Sequence, residues 1–231
     1  MKRLLVCAIA LGVTLSAGIA TAAPGDPDPG FGSAGVVTGG LLDTFGALDV
    51  DASERVVVAG TTGGQAALAR YTATGAPDTG FSDDGRVELG LTGVGFRVFD
   101  LRTLDDGSTV VAFLYRTDPM DPYSWLFAVA KVSATGGLVG GYGSGGTATY
   151  PLFGVFLHPD GAIASDGSVT FTAQFSGIPN NSGHVQFDAN GKIQMQQGGL
   201  KGTPALKTAH RPITIAFEGT KVEGEQQVSK R

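Results

Sequence analysis

No stretch of this chain longer than 13 residues is free of both glycine and proline, and only Ala47 to Ala59 and Tyr123 to Thr135 reach that length. Helices of ordinary length do not survive such punctuation, because proline removes a backbone donor and interior glycine costs conformational entropy. The 37 glycines in 231 residues are roughly twice the usual share. A helix bundle and a coiled coil are therefore excluded. Disorder is excluded as well, since 16% charge, 42% apolar residues and a mean hydropathy of +0.13 supply the apolar surface a core needs. What remains is a turn-rich protein of short β-strands.

The punctuation is periodic. An aromatic followed four residues later by glycine recurs as Phe31 and Gly35, Phe81 and Gly85, and Tyr142 and Gly146. After each comes a turn feeding a β-branched run: Asp51 to Gly60, Leu104 to Ala112, and Ser165 to Phe171. A further strand then closes on glycine, at Gly75, Gly136 and Gly191, and in the first two units that glycine stands six residues before the next aromatic. The spacing between aromatics is 50 and then 61 residues, and such a period is the mark of a repeat architecture. The units run over about 25–76, 77–136 and 137–191. An eroded fourth, 192–231, has Gln197 at the aromatic position and Ile213 to Ala216 where the first unit has Val56 to Ala59.

Each unit reads as four short strands, which in the first are Gly35 to Thr38, Ala47 to Asp51, Arg55 to Thr61 and Ala66 to Thr72. Val56 to Ala59 and Leu126 to Ala130 are continuously apolar instead of alternating, so both faces of their sheets are covered. Four-stranded sheets stacked face to face around an axis meet that demand. The expectation is an all-β, β-propeller-like chain of about four blades of four antiparallel strands, with an open β-solenoid or a half-propeller as the alternative.

The run Ala67-Leu68-Ala69-Arg70-Tyr71-Thr72-Ala73-Thr74-Gly75, then Asp78, Phe81 and Gly85, resembles the delta-60 repeat family, whose units carry ALARY-x-x-x-G-x-x-D-x-x-FG-x-x-G. The likeness is strong in the first unit, moderate in the next two and poor after Gly191. Ser82 stands where that family prefers glycine, and Tyr142 where it prefers phenylalanine. The resemblance implies a propeller-like fold and a bacterial secreted or surface protein, and it implies no catalytic residues.

The N-terminus points to the same compartment. Lys2 and Arg3 precede an uncharged stretch from Leu4 to Leu15 that leads through small residues to Ala20-Thr21-Ala22-Ala23, the order of a secretory signal peptide over 1–23. An uncleaved anchor is the alternative, since the uncharged run continues to Gly25, but Gly12, Thr14, Ser16 and Gly18 dilute it. Cleavage removes Cys7, the only cysteine, and with it disulfides, cysteine-zinc sites and thiol nucleophiles. It leaves 14 basic against 21 acidic residues, a balance that argues against nucleic acid and anionic membranes as partners.

Motifs that imitate chemistry dissolve into the repeat. Gly30 to Gly35 and Gly141 to Gly146 both fit G-x-G-x-x-G, yet a short strand follows where a cofactor loop needs a helix, so they read as turns. No G-x-S-x-G is present in them, and His158, His184 and His210 lie 26 residues apart in turn, without a metal-ligand spacing. Asp26, Asp28, Asp78, Asp83, Asp84, Asp105 and Asp106 match no calcium loop and are expected to hydrogen-bond backbone N–H groups two positions on. No cofactor is expected.

One insertion stands out. Between the strands that Thr61 to Gln65 joins in the first unit, the second adds Arg116 to Trp125, with two prolines and the only tryptophan. Asp118, Asp121, Tyr123 and Trp125 are the candidate ligand-binding residues: the aromatics to stack and the carboxylates to hydrogen-bond a sugar ring or a peptide. The alternative is that Trp125 opens the next strand and packs in the sheet. The function expected is a secreted, non-catalytic binding or structural module whose partner is a protein or a glycan. A secreted enzyme acting on glycans or lactones and a decayed repeat fragment are the competing classes.

Overall fold

The computed structural model describes residues 28–38, 40–152, 156–175 and 182–196. The expected signal peptide, 1–23, and the expected fourth unit from Gln197 onward lie outside the described residues. Among those described, the chain is all-β, with three four-stranded antiparallel sheets. The first sheet runs β1 (Thr44–Val50), β2 (Val56–Thr62), β3 (Gln65–Tyr71) and β4 (Arg86–Thr92) in spatial order. The second runs β5 (Val94–Thr103), β6 (Thr109–Arg116), β7 (Trp125–Val132) and β8 (Thr147–Leu152). The third runs β9 (Phe156–Ile163), β10 (Val169–Phe175), β11 (Ser182–Phe187) and β12 (Ile193–Gln196). First strands lie against first strands, β1 on β5 and β5 on β9, which gives the stack its propeller-like, open arrangement.

One expected strand is corrected. Gly35 to Thr38 makes only an isolated bridge between Ser33 and Val36. Its counterparts after Gly85 and Gly146 become β4 and β8 because each pairs with the third strand of the sheet before it. A strand exists through its partner, and the described residues hold no sheet ahead of Gly35. The sheets are thus out of phase with the sequence units: each takes its outermost strand from the unit that follows.

Alternation explains the packing. Val56 and Val58 of β2 join Ala69 and Tyr71 of β3 in a core closed by Phe31, Val37, Leu41 and Leu42. Val57, Ala59 and Leu68 point the other way and meet Val111, Phe113 and Ala130 of the second sheet. The opposite face of that sheet, with Val110, Ala112 and Val129, packs on Val169, Phe171, Val185 and Phe187 of the third. The remaining face of the third sheet carries Thr170, Thr172, His184 and Gln186, all half-buried. Apolar-on-both-faces therefore holds for the first two sheets, and the third alternates.

The second and third landmarks are joints between sheets, and the first seats the segment ahead of β1 on the first sheet. Phe31, Phe81 and Tyr142 are each buried in a different core, so each aromatic plugs one interface. The residue after each aromatic donates its backbone N–H to the carbonyl just before a closing glycine: Gly32 to Thr74 at 2.9 Å, Ser82 to Thr135 at 3.0 Å and Gly143 to Asn190 at 2.8 Å. Gly75, Gly136 and Gly191 have φ of 82°, 90° and 74°. A Cβ on any of them would stand 2.7–2.8 Å from the donating nitrogen, so both the left-handed backbone and the close approach demand glycine. Gly35, Gly85 and Gly146, at φ 88°, 81° and 98°, turn the chain back after each aromatic.

At the joint between the first and second sheets this geometry encloses a charge. Arg70 is 2% exposed. Its Nε donates to Asp78 Oδ2 at 2.7 Å, its Nη1 donates to the Ala134 carbonyl at 2.8 Å, and its guanidinium lies 4.5 Å from the Phe81 ring centroid. Arg70→Ala leaves Asp78 only the more distant Arg55 Nη1, at 3.6 Å, and empties the joint. A loss of about 3 kcal/mol is expected in chemical denaturation, with the double variant Arg70→Met, Asp78→Asn, which keeps the Oδ1 acceptor of the Gly80 N–H, less damaged than the single one.

Tyr142 presents the opposite case. Burial, with a smaller contribution from Asp188, pushes its hydroxyl well above the ordinary tyrosine range, and that buried hydroxyl finds no hydrogen-bond partner among the described residues. Tyr142→Phe removes an unsatisfied group and keeps the plug. A gain of up to about 1 kcal/mol is expected, read as a raised midpoint in denaturant.

Candidate functional site

The two ends of the stack are built differently. One end holds the β1–β2, β5–β6 and β9–β10 turns, where Asp51, Asp106 and Asp166 each accept the N–H two residues on. Hydrogen bonds from Ser108 and Ser168 hold the Asp106 and Asp166 carboxyls below their ordinary value. Asp28, Asp78 and Asp84 make the same turn bond, to Gly30, Gly80 and Arg86. Asp28, Asp78, Asp84 and Asp106 therefore do what turn aspartates are expected to do, while Asp26 lies outside the described residues. Among the described residues no three His, Cys, Asp or Glu side chains converge to hold a metal ion.

The other end carries the β2–β3 hairpin, the β6–β7 connection and the starts of β1 and β5. Only Gly63 and Gly64 separate β2 from β3, whereas Thr117 to Ser124 separate β6 from β7. That longer loop is tied internally. Asp118 Oδ1 accepts the Met120 N–H and Asp121 Oδ1 the Tyr123 N–H, each at 2.8 Å. The Ser124 hydroxyl lies 2.8 Å from the Asp118 carbonyl and 2.9 Å from that of Asp121, and it accepts the Asp118 N–H at 3.1 Å. Thr117 N–H closes the base on the Ser124 carbonyl at 3.0 Å.

Of the four sequence-derived candidates, the loop thus engages Asp118 and Asp121 as its own scaffold. Trp125 is the first residue of β7, packed against the core between the second and third sheets, with the Arg116 guanidinium 5.5 Å from its ring centroid. Tyr123 stands out at 55% exposure and Met120 at 87%.

Sequence reasoning passed over Met120 and also the neighbouring cleft. Thr44, Phe45, Gly46, Gly60, Thr61, Phe96, Arg97 and Val98 line a cleft of about 200 Å³ between the starts of β1 and β5. Both strands are bulged there, at Phe45/Ala47 and at Val94/Arg97, which opens their edges. Phe96 stacks on Tyr115 with centroids 4.8 Å apart, and Arg97 lies over Phe99 at 5.2 Å. Nothing local in the sequence marks these residues as a group, because their meeting depends on which strand ends share one side of the stack.

No protein-family model matches the chain, and no curated protein matches it in sequence. Among the solved structures that resemble it in part are the following two. A neuraminidase-like protein of A/flat-faced bat/Peru aligns at 14% identity with a TM-score of 0.40, over 65% of this chain and 37% of its own. A catalytically inactive virginiamycin B lyase from Staphylococcus aureus, with quinupristin, aligns at 14% identity with a TM-score of 0.26, over 65% of this chain and 54% of its own. The chain thus spans well under two thirds of either. Among the described residues no helix is long and apolar enough to cross a membrane.

Ser124→Ala removes the acceptor of the Asp118 N–H. Hydrogen exchange at that amide is expected to quicken by about tenfold, the equivalent of roughly 1 kcal/mol, while amides of β6 and β7 keep their protection.

Proposed function

We propose that this chain is a secreted, non-catalytic, propeller-like binding module of the delta-60 type, acting at a bacterial surface or in the periplasm through the end that bears the β6–β7 loop. The observation that supports the reading is where apolar surface lies open. Six large hydrophobic side chains are exposed among the described residues, and four of them, Phe45, Val94, Met120 and Tyr123, sit at this one end. Scattered exposed hydrophobes are ordinary, but a gathering on one face marks an interaction site. The internally bonded loop adds preorganisation, so that binding does not have to order it. A Met and a Tyr on a stiff support suit the apolar face of a sugar or a protein side chain.

The test compares the intact chain with the double variant Met120→Ser, Tyr123→Ser on a glycan array and in cross-linking to cell-envelope proteins of its source. Binding weakened by about 30-fold in the variant, the loss of one interface hot spot, is the expected result. Equal binding by both proteins, or turnover of a glycan or lactone substrate, overturns the reading.

A further inference from the structure

We propose that Arg97 and Arg116 form a binding site for a doubly charged phosphate group, on the face of the second sheet turned toward the third and at the end that bears the β6–β7 loop. This deepens the preceding reading and rests on it only for the choice of end.

Strand pairing places both side chains on that face. Arg97 on β5 stands opposite Leu114 on β6, and Arg116 stands two residues further along β6, opposite Trp125 on β7. Leu114 and Trp125 both pack in the core between the second and third sheets, and residues two apart on a strand share a face. The two arginines are therefore diagonal neighbours on adjacent strands, a separation that long side chains span. Each guanidinium is steered by a ring: Arg97 lies 5.2 Å from the Phe99 centroid and Arg116 5.5 Å from that of Trp125. Leu114, on the same face between them, is buried, so the charges stand on an apolar floor where water screens them less than in bulk.

Neither charge is neutralised by a carboxylate among the described residues. The ion pairs there engage Arg55, Arg70 and Arg86. Asp100, three residues from Arg97, accepts the Leu101 and Ile163 amides, and Asp118 and Asp121 accept amides of their own loop. The segments 153–155 and 176–181, which join β8 to β9 and β10 to β11, contain no acidic residue. Arg116 Nη1 reaches the Pro119 carbonyl only at 3.5 Å, and its Nε is buried with no hydrogen-bond partner among the described residues. Two like charges on neighbouring positions repel, and a buried donor left unpaired calls for an acceptor.

The group that answers two planar forks has several oxygens and close to two negative charges. Phosphate on an ester carries that charge near pH 7 and accepts paired hydrogen bonds from arginine. A carboxylate meets one fork and cancels one charge.

Titration calorimetry of the intact chain with inorganic phosphate and with glucose 1-phosphate tests this, with sodium acetate as the singly charged anion. Both phosphates are expected to bind at least tenfold more tightly than acetate, the usual worth of a further charged hydrogen bond. Arg97→Gln and Arg116→Gln are each expected to weaken phosphate by the same factor, with Arg97→Lys, which keeps the charge and loses the fork, in between. Arg97 is exposed, so the thermal midpoint of Arg97→Gln without ligand stays put and its lost affinity is not a lost fold.

Glucose 1-phosphate tighter than inorganic phosphate assigns the site to a phosphorylated sugar, and equal or weaker affinity assigns it to free phosphate. Phosphate bound no better than acetate, or bound equally by Arg97→Gln, overturns the proposal. Glycan-array binding that persists alongside that result leaves the loop reading standing, whereas phosphate binding by a chain inert on the array removes the loop reading alone.

Discussion

Burying a guanidinium costs several kcal/mol unless its hydrogen bonds are met, and Arg70 meets them with groups drawn from separate parts of the chain. Asp78 comes from the link after β3, Phe81 from the aromatic landmark, and the Ala134 carbonyl from the closing turn of the next sheet. Satisfying one side chain therefore fixes the distance and angle between two sheets. The next joint keeps the backbone pattern, with Val139 N–H on the Lys131 carbonyl as Asp78 N–H is on that of Arg70. It replaces the ion pair with apolar contact, since Val139 and Tyr142 pack there without a charge between them. One interface is specified by charge and the next by shape, on a common backbone hinge.

The sequence carried the joints better than the sheets. Arg70, Asp78, Phe81 and Gly85 are visible as a motif because they must sit at fixed offsets to enclose one charge. Gly75, Gly136 and Gly191 are visible because a backbone nitrogen 2.7–2.8 Å from their missing Cβ forbids any other residue. Strand membership was less legible: β4 belongs to the first sheet although its residues follow the second landmark, and offsets along a chain do not say which neighbour a strand adopts. The polar face of the third sheet follows from the alternation Val169-Thr170-Phe171-Thr172, which the repeat landmarks do not set apart from the apolar runs of the first two units.

Legibility fell further at the candidate site. The β6–β7 insertion was readable from its length and its prolines, and Tyr123 from its exposure-prone setting. The roles of Asp118 and Asp121 were not, because a carboxylate that completes its own loop and one that awaits a ligand look identical in sequence. Phe45 lies some 50 residues ahead of Phe96 and Arg97 along the chain, and only the face-to-face stacking of β1 on β5 brings those strand starts together.

The division of labour between the two ends follows from the joints themselves. At the landmark end, closing glycines, turn aspartates and aromatic plugs use the local backbone donors and acceptors on one another, so a length change there disconnects two sheets at once. At the opposite end each hairpin closes only its own sheet. The β2–β3 connection is two glycines and the β6–β7 connection is eight residues long, yet β2, β3, β6 and β7 pair without a break in register. An end that tolerates insertions without strain is where a repeat scaffold can place aromatic side chains in solvent and still keep its core. The exposed Phe45, Met120 and Tyr123 occupy that end, and for Met120 and Tyr123 the cost of display is confined to a loop that closes only its own sheet.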